Sequence, residues 1–72
     1  MKYTVILNNW VNGSGWRNQE AFDSLNELCT AEEYIRSLDE PLTPVVGVDD
    51  ILVEIHDEDD NKLSECWVSD VD

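Results

Sequence analysis

The sequence predicts an α+β fold, with one helix packed on a three- to four-stranded antiparallel sheet in the order β(β)αββ. Three observations predict it. Residues 2–8 and 50–56 have the period-two, β-branched pattern of half-buried strands. Residues 21–38 carry apolar residues at helical spacing. Pro41 and Pro44 then separate that segment from the C-terminal strands. At 72 residues the chain is one domain at most. High net charge argues for disorder, but 42% hydrophobic residues with three tryptophans argue for a folded core.

In the first strand Tyr3, Val5 and Leu7 point to the core, and Thr4, Ile6 and Asn8 point away. Asn12-Gly13 is a hairpin signal because both residues accept positive φ. A two-residue turn there would set Asn9 opposite Trp16 and give the first strand a short partner; an open glycine-rich loop is the alternative. Asn12-Gly13-Ser14 also fits the glycosylation pattern, by chance if the chain takes no secretory route. The helical stripe runs Phe22, Leu25, Leu28 or Cys29, Ala31, Ile35, Leu38. Ser24-Leu-Asn-Glu27 reads as a capping box at its start, with Asp23 as a rival cap. A second box, Thr30-Ala-Glu-Glu33, suggests a short turn before a longer helix, supported by Glu32 and Arg36 four residues apart. Ile51, Val53 and Ile55 face inward on the next strand, and Leu52, Glu54 and His56 outward. Residues 57–61 form a hairpin loop, and 62–69 the last strand.

Seventeen acids against four Lys and Arg give a net charge of −13. Residues 1–19 contain Lys2 and Arg17 and no acid; seven acids fall in 20–40 and ten in 49–72. Such a chain does not neutralise phosphates, so direct nucleic-acid binding is not expected. An anionic membrane would repel it too. No apolar run reaches the length of a membrane span, and no basic start precedes an apolar stretch, so a cytoplasmic protein is expected. Cys29 and Cys66 lack CxxC spacing and are expected as reduced, part-buried thiols. No cofactor, metal or catalytic role is expected. Asp57, Asp59, Asn61 and Glu65 touch a calcium-loop pattern, but Lys62 and Val68 stand where it needs Gly and Glu. His56, with the two cysteines, lacks paired zinc spacing.

Carboxylates three or four apart on a helix lie about 5–6 Å from one another, and those two apart on a strand about 6.6 Å. Both spacings make rows like those of backbone phosphates. On the acids of 20–40 and 49–72, the chain resembles the small acidic DNA-mimic inhibitors of phages and mobile elements, the anti-CRISPR and anti-restriction proteins. The resemblance is one of class, without a shared motif. It implies a non-enzymatic inhibitor that occupies the Lys/Arg-lined groove of a host defence complex, in the host cytoplasm. From clustering, the candidate contacts are Asp57, Glu58, Asp59 and Asp60 at the hairpin tip and Glu27, Glu32, Glu33 and Glu40 on the helix. Trp10 and Trp16, beside glycines, are candidate exposed anchors, with Trp67 expected in the core. The other reading is an accessory or antitoxin-like module that binds through these tryptophans, its acids serving solubility. A homodimer would enlarge a thin core.

Charge of one sign at this density opposes compaction. The thermal midpoint is therefore expected to rise between low salt and about 0.5 M NaCl, where screening is within a few ångströms. A flat or falling midpoint in a salt series would contradict this.

Overall fold

A computed structural model of the chain describes residues 2–71; Met1 and Asp72, one of the counted acids, lie outside them. Its elements are β1 (Tyr3–Val11), β2 (Gly15–Leu25), α1 (Ala31–Ser37), β3 (Asp50–His56), β4 (Lys62–Trp67) and a 3-10 turn at Val68–Asp70. The strands form one antiparallel sheet in the order β2-β1-β3-β4. The expected α+β class is the observed one, with four strands.

Alternation along β1 and β3 builds the core. Val5, Leu7, Ile51, Val53 and Ile55 share the face under α1, each at most 4% exposed. Ala31 and Tyr34 close over them, with Ile35 and Leu38 at the margin. Seven residues make a helix too short to persist alone, so its packing and its cap sustain it. Thr30 Oγ1 accepts from the Glu33 N–H, Glu33 Oε1 accepts from the Thr30 N–H, and the Ala31 N–H donates to Ser64 Oγ of β4.

The helix expected over 21–38 is thus only its second half, and the Ser24–Glu27 box does not form. Residues 21–25 continue β2 instead, with Leu25 opposite Tyr3 and Asp23 opposite Val5. The nine-residue β1 offers a backbone edge along its whole length, and pairing with it outweighs a weak local helix signal. Phe22 falls at an irregularity in this ladder and is 46% exposed; Leu28 is exposed as well. The hairpin also differs from the expected one. Val11 pairs with Gly15 across Asn12-Gly13-Ser14, and both Gly13 and Gly15 have positive φ. An irregularity then sets Asn9 opposite Asn18, and Trp10 opposite Trp16. β2 is therefore not short: its eleven residues form one border of the sheet.

The Pro41–Pro44 connection ends in a turn through Gly47 (φ 88°), where a Cβ would approach Arg17 Nη1 to 2.9 Å. Arg17 donates to the Val46 carbonyl, the Asp49 N–H to the Trp10 carbonyl, and the Asn12 N–H to Asp49 Oδ2, which pins this connection to the β1–β2 hairpin. The last strand stops at Trp67, two residues before the expected end.

No second helix covers the face opposite α1, and the molecule is only 15 Å across its shortest axis. Of the residues placed outward, Asn8, Leu52 and His56 are nevertheless buried. Neighbouring side chains on that open face cover them. Trp67, opposite Leu52 in register, stands there and not in the core beneath α1.

Ile55→Ala should cost about 3 kcal/mol, the usual loss for emptying a sealed core position. Phe22→Ala should cost less than about 1 kcal/mol, as at other exposed positions. Urea unfolding of the two variants checks both; a large loss at Phe22 would restore it to the core.

Candidate functional site

The sheet register sets two acid-bearing segments at one end of the molecule. Leu25 closes β2 opposite Tyr3, and Thr4 lies opposite His56, so the end of β2 and the β3–β4 hairpin share that end. The first turn of α1 is tied there by Ser64. Asp57, Glu58, Asp59 and Asp60 lie at that end, with Glu27 just past the end of β2 and Glu33 in the tied first turn, whereas Glu32 acts on Cys66 in the middle of β4 and Glu40 lies beyond the helix C-terminus. Glu27 lies in the bend after β2 and not on the helix, as the sequence pattern placed it.

Several of these acids also hold the fold. Asp57 Oδ1 accepts from the N–H groups of Asp59 and Asn61, shaping the turn in which Asp60 takes φ 66°. The Asn61 N–H chiefly, with the Asn61 side chain and the Asp59 N–H, holds the Asp57 carboxyl below its ordinary range against a smaller effect of burial. Glu58 Oε1 accepts from the Lys2 N–H. The Thr30 hydrogen bonds lower the Glu33 pKa. Glu32 lies 3.8 Å from Arg36 Nε, an exposed pair of little energetic weight.

His56 binds the hairpin to the open face. Its Nε2 lies 2.7 Å from Glu54 Oε1 and its Nδ1 2.9 Å from Asp60 Oδ1. Both ring nitrogens donate only when the ring is an imidazolium. Burial works against that charge, but the hydrogen bonds to Glu54 and Asp60 outweigh it and raise the pKa. Glu54 is paired in register with Glu65, a like-charge opposition that costs stability; His56 answers one carboxylate, and Lys62, 3.4 Å away, the other.

The tryptophans occupy the opposite end. Trp16 stacks on Trp67 with ring centroids 5.7 Å apart and planes 4° from parallel. Trp10 stands edge-on to both, at 4.9 and 6.3 Å. Trp16 is 54% exposed. Of the two candidate anchors Trp16 is exposed and Trp10 part-buried; Trp67 joins them in one cluster, which faces away from α1 and its acids. The two sets of candidate contacts form two surfaces, not one. The part Trp67 plays was not readable from the sequence, since only the register brings residue 67 to residues 10 and 16.

Cys29 and Cys66 are unbridged and part-buried. Burial first, then nearby carboxylates, raises both thiol pKa values, which keeps them in the unreactive protonated form. Burial and the hydrogen bond to Asp23 likewise hold the Tyr34 hydroxyl well above its ordinary range. Among the described residues, no group of three His, Cys, Asp or Glu is placed to hold a metal ion, and no helix is long and apolar enough to cross a membrane. No protein-family model, curated protein or solved structure matches the chain.

The His56 pKa in the folded state lies above its ordinary 6.5, so folding binds the proton more tightly. This stabilisation is complete below about pH 6.5 and is lost as pH rises through the folded value. The gap in urea midpoint between the native protein and His56→Gln should therefore be widest near pH 6 and shrink by about pH 9. A gap independent of pH would show that the imidazolium contributes nothing.

Proposed function

We propose that the protein is a non-enzymatic binding protein that presents its acidic end to a Lys/Arg-lined, nucleic-acid-binding groove of another protein. In its finer form the proposal is a phage-type inhibitor that blocks a host defence complex of the anti-CRISPR or anti-restriction kind. The observation that supports it is that the register sets the end of β2 and the four-acid β3–β4 hairpin at one end of the sheet, toward which Ser64 ties the start of α1. The chain has too few cations of its own to neutralise that end. Arg36 lies beside Glu32, Lys62 beside Glu65, and Arg17 is engaged by the Val46 carbonyl. The field is left to act outward, where it steers a cationic partner at a rate that falls with salt.

The tryptophan surface supports a second reading, an interaction module that docks through aromatic side chains. Its support is the exposed Trp16, stacked on the part-buried Trp67.

The two readings separate on a single set of variants. Glu27→Gln, Glu32→Gln, Glu58→Gln and Asp59→Asn remove charge while sparing the turn-forming Asp57 and the helix-capping Glu33. A partner is captured from bacterial lysate at low salt and released by a salt step, and its binding to DNA is then measured with and without the protein. Under the leading proposal the native protein displaces the DNA. The fourfold variant binds at least about tenfold more weakly, near 1.4 kcal/mol, with a shallower salt dependence. Unchanged affinity in the variant, or undisturbed DNA binding, overturns it.

A further inference from the structure

At the tryptophan end the open face carries a notch of about 360 Å³ lined by both Trp10 and Trp67 and the carboxylates of Asp49, Asp50 and Asp70. It lies at the opposite end of β3 from the β3–β4 hairpin. The β1–β2 hairpin, the start of β3 and the 3-10 turn after β4 supply its walls.

Two of its carboxylates are held in place by donors. The Asn12 N–H donates to Asp49 Oδ2 at 2.7 Å. Asp50 accepts from the Ile51 and Ser69 N–H groups at Oδ1 and from the Ser69 hydroxyl at Oδ2, the last at 2.6 Å. The indoles are fixed as well: Trp10 Nε1 donates to Asn12 Oδ1 at 3.0 Å, and the ring packs edge-on against Trp67. Each carboxylate oxygen has two lone pairs, so these bonds leave acceptor capacity toward the notch. Lys62 is paired with Glu65 and Arg17 with the Val46 carbonyl, away from these carboxylates.

Indole faces attract cations, and carboxylates held by backbone donors need not reorganise to accept a charged donor. A planar guanidinium suits both kinds of lining side chain, lying flat on an indole while its N–H fork meets a carboxylate. An ammonium is a point charge with a tighter water shell and gains less from the aromatic wall. We infer that this notch is a second binding site, which takes an arginine side chain projecting from a partner protein. It goes beyond the acidic-end proposal, because neither its residues nor its geometry depend on the hairpin acids.

All three tryptophans of the chain belong to this one cluster, so intrinsic fluorescence reports on the site with no label. The full chain is titrated at low salt with octa-arginine and, separately, octa-lysine, with affinity read by calorimetry and by tryptophan emission. Octa-arginine should bind about fivefold or more tightly than octa-lysine, with a saturable change in emission. Asp70→Asn, an exposed position, should erase most of that preference and the emission change. Glu58→Gln with Asp59→Asn at the far end should weaken both peptides alike and leave the preference intact. Equal binding of the two peptides with unchanged emission overturns the notch while leaving the acidic-end proposal standing. A preference that survives Asp70→Asn overturns it too. Failure of both peptides to bind at low salt removes the acidic-end proposal along with it.

Discussion

A small chain with seventeen carboxylates can fold only if acids that come close to one another find something that tempers their repulsion. Lysine and arginine are too few, and the structure relies instead on hydrogen-bond donors. Asp57 takes the N–H groups of its own turn, Glu33 that of Thr30, Asp50 the hydroxyl and N–H of Ser69, Asp49 the N–H of Asn12, and Asp23 the hydroxyl of Tyr34. His56, between Glu54 and Asp60, is the one place where a titrating ring takes this part. Charge-assisted hydrogen bonds of this kind are stronger than neutral ones, and they also fix the chain direction at each element boundary. The acids are therefore both the strain in this fold and much of its punctuation.

What the sequence made legible follows from how local each signal is. Val5 and Leu7, and Ile51, Val53 and Ile55, alternate so regularly that their burial could be read directly. The Thr30–Glu33 box names its own contacts and forms them. β2 was obscured because its exposed, polar residues lack alternation, while Phe22 and Leu25 fall at a spacing that a helix would share. Pairing with β1 decides the matter, and that pairing is a property of two segments together. The Gly13 turn misled for a related reason: the residues of the hairpin were right, but one more residue in its loop shifted every partner along the ladder.

The sequence names candidate acids but not where the fold sets them. The start of α1 is set beside β4 because the Ala31 N–H donates to Ser64 Oγ, a contact 33 residues apart in sequence. The tryptophans are kept from the helix acids by the parity of β1, which turns Trp10 to the face that Val5 and Leu7 avoid. A sheet two layers deep on one side and bare on the other thus carries two chemically distinct surfaces, one of charge alone and one of charge beside aromatic rings.

The eleven-residue border strand β2 leaves a row of backbone groups with no neighbouring strand. Rows of this kind invite other chains to add themselves, the first step toward fibres. Two ladder irregularities and the carboxylates of Glu20 and Asp23 stand against it here. The negative charge thereby doubles as a guard: with those two side chains replaced by their amides, this border is where insoluble assembly would begin.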